Sequence, residues 1–285
     1  MPITLDDVPP DLIKDYMEGK CGFFVGAGLS KGAGLPDWRG LLEKLVVKAE
    51  HAKLIDADKA NDCRKLTGET SKFLMLAEEM KEILGPEFKN VIEEVFTDSS
   101  IRPSATHDAL VQLERRKFII TTNYDMLIED AFVSHKTRPR VYRYYEAHAI
   151  QRSLFKREFF VLKAHGDAET AAEQVILTEK DYRRILYKEL GYQSALQSIF
   201  TMHSVIFIGS SLEDPELKLL LNYINAAFPE GGIPHYALMS TDNTGHTEKN
   251  RWLKDYNMRI IGISSDNNYE DLTIFLNLLA AEERK

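Results

Sequence analysis

Four short apolar runs punctuate the chain: Cys21 to Val25, Lys117 to Thr121, Phe159 to Lys163 and Ser204 to Ile208. Each is rich in β-branched or aromatic residues and none alternates with polar ones, which predicts strands covered on both faces of a parallel sheet. Two later runs, His235 to Met239 and Met258 to Ile263, predict further strands. Segments with helical spacing lie between them, among them Trp38 to Ala52 and Asp214 to Phe228. The alternation predicts a doubly wound, Rossmann-like α/β fold with a mostly parallel sheet.

The stretch from about 40 to 112 breaks this rhythm. It is long, charged and free of strand signals, with Phe73, Leu74, Leu76, Ala77 and Met80 at helical spacing. It reads as a helical sub-domain inserted after the first strand, within a single domain spanning 1–285, its charged faces turned to solvent. The segment Tyr142 to Tyr145 (YRYY) reads as a strand or loop packing its tyrosines, in preference to a platform for stacked bases.

Composition narrows the function classes. The chain has 285 residues, is 44% hydrophobic and carries a formal charge of -8, enough to bury a full core and unsuited to gripping nucleic acid, which needs a basic face. No direct nucleic-acid partner is expected. Its two cysteines, Cys21 and Cys63, build neither a disulfide framework nor a four-cysteine zinc site. A reducing, cytoplasmic setting is expected. No signal-peptide core and no apolar run of about 18 residues occurs, so no membrane association is expected.

The candidate chemistry begins at FFVGAGLSKGAGLPDWRG, residues 23–40. Strand, glycine turn, polar residue and helix follow in order. Gly26 and Gly28 allow a tight turn and a pyrophosphate close to the backbone, facing the positive end of a helix. The spacing departs from the usual dinucleotide fingerprint, because Gly32 and Gly34 displace the third glycine. Taken alone, it fits a phosphate-binding turn and a plain strand-to-helix turn equally well.

The continuation GLPDWRG resembles the sirtuin family, and TTNYD at 121–125, KAHGD at 163–167 and GSSLEDPEL at 209–217 follow in family order, each just after an apolar run. Ligands lie outside the carboxyl ends of parallel strands, so the four segments are expected to converge. The interval 168–207 contains no cysteine and Thr122 stands where sirtuin deacylases have glutamine. That pattern is similar to the sirtuin-like NAD hydrolases of bacterial antiphage defence, which implies NAD as substrate, no zinc, and cleavage of the nicotinamide–ribose bond.

By that resemblance Asn123 orients the ribose or the attacking water and Asp125 holds the nicotinamide carboxamide, although Asn and Asp also serve as helix caps. His165 is the expected general base, since an imidazole accepts a proton near neutral pH; His107, His148, His203 and His235 have no comparable context. Asp37, Trp38 and Arg39 are expected at the nicotinamide and ribose end. Gly26, Ala27, Gly28, Ser30, Gly209, Ser210 and Ser211 are expected cofactor contacts, Ser240 is placed near the adenosine by topology, and Asp214 with Pro215 starts the next helix. The resemblance also implies a homo-oligomer and a partner such as a ring ATPase, a helicase or a short argonaute. Two other functions fit the same residues: an NAD-dependent deacylase or ADP-ribosyltransferase, and a subunit that binds NAD or ADP-ribose without cleaving it.

Overall fold

The computed structural model describes residues 2–228, 232–242 and 244–285. Among them, seven parallel strands form one sheet: β1 (Cys21–Val25), β2 (Ile119–Thr121), β3 (Arg140–Arg143), β4 (Phe160–Lys163), β5 (Ser204–Ile208), β6 (His235–Ser240) and β7 (Met258–Ile263), in the spatial order β3-β4-β2-β1-β5-β6-β7. The six apolar runs are the six inner and distal strands. β1 and β5 are buried along their whole length, as continuous apolar strands under helices on both faces must be. The seventh, β3, is an edge strand whose end residues are arginines: Arg140 pairs with Glu158 and Arg143 with Asp167. The tyrosines of this segment pack, with Tyr142 tilted against Phe160 and Tyr144 buried.

The chain leaves β1 toward β2 on one side and reaches β5 on the other, so the order reverses between β1 and β5. A crevice outside the carboxyl ends of these two strands is where such sheets bind ligands. Two apolar cores cover the sheet. One joins Phe23, Ile119 and Val161 to the helices Leu127–Ser134 and Asp266–Glu283; the other joins Phe24, Leu162 and Phe207 to Glu179–Tyr187, Leu190–Met202 and Pro215–Ala227.

The region after β1 is helical throughout: Trp38–His51, Ala57–Leu66, Phe73–Leu84, Glu87–Phe96 and Ala105–Gln112. The first four surround a third core of their own, into which Tyr124, Ala168, Val175 and Leu177 of the strand-end loops also project. The fifth contributes Ala109, Leu110 and Val111 to the first sheet core instead. Its charged faces are not all free in solvent. Lys81 reaches Asp181 at 3.0 Å, and Lys180 bonds Glu78 and Glu82, tying the helix Phe73–Leu84 to Glu179–Tyr187.

Candidate active site

The glycine turn caps a short helix, Ala27–Lys31, with Gly26 at its N-cap. It lies directly against the loop after β5. Gly26 N donates to Ile208 O at 3.0 Å and Gly28 N to Gly209 O at 2.8 Å. A Cβ on Gly26 would meet Gly209 O at 2.5 Å, and one on Gly209, whose φ is +60°, would meet Leu29 N at 2.5 Å. The glycines are therefore required by backbone meeting backbone across the switch point, whatever ligand approaches them.

Asn123 enters the same crevice from the end of β2. Thr121 turns the chain there by accepting from Asn123 N at 3.1 Å while donating to Val25 O at 3.0 Å. The buried amide then spans the glycine turn: Nδ2 donates to Ser30 Oγ at 2.9 Å and to Gly26 O at 3.2 Å. Both amide hydrogens are engaged, the side chain is fixed, and Oδ1 is buried without a partner. An orphaned buried acceptor costs on the order of 1 to 3 kcal/mol, so a donor from a bound molecule would be well received there.

Asp125 is held differently. Its Oδ1 accepts from Leu127 N at 3.0 Å, at the start of the helix Leu127–Ser134, and Oδ2 is buried and unpartnered. Tyr124 packs into the third core and clamps the histidine loop, donating to Ile176 O at 2.6 Å.

His165 follows β4 and is wholly covered. Its Nε2 lies 3.5 Å from Asp214 Oδ2 and 3.8 Å from Glu216 Oε2, and neither ring nitrogen has a hydrogen-bond partner. These are charge contacts, longer than hydrogen bonds. Burial opposes charge on the ring, yet the two carboxylates outweigh it and hold the imidazole above its ordinary pKa. Burial in turn raises the Glu216 carboxyl, against the pull of His165.

Sequence reasoning gave Asp214 only a helix-starting role and missed Glu216 and Tyr182. Asp214 does cap Pro215–Ala227, its Oδ1 accepting from Glu216 N and Leu217 N. Its other oxygen accepts from Tyr182 at 2.6 Å and faces His165. Two acids two residues apart at a helix start were the available signal; their distance along the chain from His165 concealed it. Thr122 lines a cavity with Ala164, Asp214 and Glu216 that has room for about one water.

The remaining expected residues do not all converge. Ser210 and Ser211 turn the loop after Gly209, accepting from Leu212 N and Glu213 N. Asp37 caps Trp38–His51 through Gly40 N and pairs with Lys31 at 2.7 Å, while Trp38 stacks on Phe73. Arg39 points outward and pairs with Glu43 at 2.9 Å. Ser240 ends β6, two strands from β1, beside Asp242. His107 accepts at the start of Ala105–Gln112, and His235 Nδ1 accepts from Val205 N, with burial lowering its pKa to about 4.

The model of the SIR2-like domain matches residues 117–261. The NAD(+) hydrolase ThsA of Bacillus cereus (strain MSX-D12) is 28% identical over 240 residues, 81% of this chain and 45% of that protein. Defense-associated sirtuin 2 of Bacillus subtilis is 26% identical over 232 residues, 78% of this chain and 21% of that protein. The chain thus spans less than half the length of either relative. Among solved structures, one described as Sir2-p53 peptide-NAD+ is 15% identical with a TM-score of 0.49, covering 96% of this chain and 98% of that one. With a SIR2-like match over half its length and the four motifs gathered at the strand ends, the chain belongs to the SIR2-like family.

Proposed function

We propose that the protein is an NAD hydrolase that releases nicotinamide and ADP-ribose, and that it acts in antiphage defence by depleting NAD. The observation that carries this is the Asn123 side chain, locked by Ser30 and Gly26 with its Oδ1 unsatisfied at the switch-point crevice. The defence setting is supported by the names of the relatives, NAD(+) hydrolase and defense-associated sirtuin.

The chemistry follows from the substrate. Nicotinamide in NAD is already a cationic leaving group, so no acid is needed to expel it, and the task is to stabilise an oxocarbenium-like ribose and direct the nucleophile. The oxygen of water bonds to ribose C1′ as the C1′–N bond breaks. The electron pair of that bond neutralises the pyridinium, and the proton of the water passes to His165. Asn123 Oδ1 accepts from the attacking water or a ribose hydroxyl, and Asp125 Oδ2 accepts from the carboxamide. Gly26, Ala27, Gly28, Ser30, Gly209, Ser210 and Ser211 line the phosphates, and Ser240 the adenosine side. Asp37, Trp38 and Arg39 reach the nicotinamide end when their helix closes on bound NAD.

An unregulated hydrolase would empty its own cell of NAD, so we assign it to the cytoplasm as a homo-oligomer under partner control. Binding without cleavage is favoured by one observation, the complete burial of His165. Incubating the assembled protein and its His165→Ala variant with NAD, and following nicotinamide by chromatography, separates the two functions. Release by the wild type alone supports hydrolysis; binding with no release from either supports a sensor.

A further inference from the structure

We propose that Asp214 and Glu216 are positioning residues for His165: they keep the ring's proton on Nε2, the nitrogen that faces them, and leave Nδ1 as the atom that accepts a proton during NAD cleavage. This rests on the function proposed above.

Three observations converge. Nε2 faces both carboxylates, at 3.5 and 3.8 Å, whereas Nδ1 is buried unbonded with no ion-pair partner among the described residues. The two carboxylates are themselves fixed. Asp214 is held by two backbone donors and the Tyr182 hydroxyl; Glu216 is held by Gln193 Nε2 at 2.6 Å and the Tyr192 hydroxyl at 3.2 Å. Tyr182 also packs edge-on against the ring, with centroids 5.4 Å apart. A carboxylate that accepts from one imidazole nitrogen fixes the tautomer and stabilises the imidazolium that forms when the other nitrogen takes a proton. Asp214 and Glu216 face His165 Nε2 at 3.5 and 3.8 Å and bias the ring the same way through their charge, with the hydrogen bond itself left to form as the imidazolium does.

The surrounding charges leave the pair in control. Asp181 is the next acid facing the histidine, from Glu179–Tyr187, and its charge is answered by Lys81 at 3.0 Å and Arg184 at 3.6 Å. The phenols of Tyr124, Tyr182 and Tyr192 are pushed well above their ordinary range by burial, so they remain neutral donors. Carboxylates beside the ring raise its proton affinity, and activity that needs a neutral ring therefore rises with pH across the histidine's titration.

The test compares wild type, Asp214→Asn and Glu216→Gln, both near-isosteric, in rate of nicotinamide release against pH and NAD concentration. Asparagine still caps the helix but offers an amide hydrogen to Nε2, which drives the ring proton to Nδ1. Asp214→Asn is expected to lower kcat between about tenfold and 10⁴-fold, as a wrong tautomer does, with KM within about twofold. Glu216→Gln is expected to move the acid limb of kcat/KM to lower pH. Unchanged profiles with kcat within about twofold for both variants overturn the proposal. If the wild type releases no nicotinamide, the hydrolase function fails separately, and ¹⁵N NMR of the His165 ring then decides: a fixed Nε2–H tautomer, lost in Asp214→Asn, supports the positioning role, and an unbiased tautomer mixture in the wild type overturns it.

Discussion

Two buried polar clusters sit at the end of β4, two residues apart in the chain and in opposite cores, and they are built for different ends. Lys163, 1% exposed, lies 3.4 Å from Glu129 and also donates to the Asp125 carbonyl. Burial raises the Glu129 carboxyl while the ammonium pulls it back. His165 faces two carboxylates at the start of the helix Pro215–Ala227, and both of its ring nitrogens are unbonded. The Lys163 ammonium is held in its cluster by a carboxylate and a carbonyl, and a buried ion pair left with one partner is costly. A titratable ring leaves its cluster open, able to take a proton and return it. Equal burial thus yields a structural joint on one face and candidate chemistry on the other.

The largest effects should separate the two. His165→Ala is expected to lower kcat/KM for NAD cleavage by about 10² to 10⁴, and Asn123→Ala by about 10² to 10³, both with secondary structure retained by circular dichroism. Lys163→Met should act on the other quantity: urea unfolding is expected to show a loss of about 3 to 5 kcal/mol, while the folded fraction keeps its turnover. A stable Lys163→Met protein that fails to cleave NAD would break the distinction between joint and chemistry.

Smaller effects sharpen it. The His165 pKa is raised on folding, so its charged form contributes stability fully below the ordinary histidine value, and that contribution is lost as pH rises through the folded value. The stability difference between wild type and His165→Gln should therefore shrink from pH 6 to pH 9 in urea titrations; a difference that grows with pH contradicts the cluster electrostatics. Gly209→Ala should cost more than about 1 kcal/mol, since alanine is strained at positive φ and meets Leu29 N, and it should weaken NAD binding by opening the glycine turn. Arg39→Ala should be the mildest. Its exposed pair with Glu43 is worth about 0.3 to 0.5 kcal/mol, and an NAD affinity unchanged in calorimetry would exclude Arg39 from the bound site.

What could be read from the sequence follows from how each feature is encoded. Strands buried on both faces announce themselves as apolar runs, so six of the seven were legible, and the switch point predicted that Gly26, Asn123 and Gly209 would meet. Arg140–Arg143 stayed open between strand and loop because an edge strand carries polar residues on its free side. The helical spacing after β1 gave helices but not their allegiance: Ala105–Gln112 has the same pattern as its neighbours and joins a different core. Arg39 was grouped with Asp37 by motif, whereas the rotation of the helix sends one to the cap and the other outward. The pairing of His165 with Asp214 and Glu216 is a contact between distant loops, and no local pattern encodes it.

The central strand has a consequence for how the molecule is born. Phe23 lies beside Ile119 on one side, and Cys21 beside Ser204 on the other. β1 leaves the ribosome early and waits for partners made much later, a topology that folds slowly because distant segments must close before they are rewarded. The clasp between Gly28 and Gly209 cannot form until residue 209 has been made. A nascent chain that stops short of residue 209 has the glycine turn, Asn123 and His165 but no crevice to put them in. Synthesis itself therefore delays the activity proposed for this protein until residue 209 and the strand before it have been made.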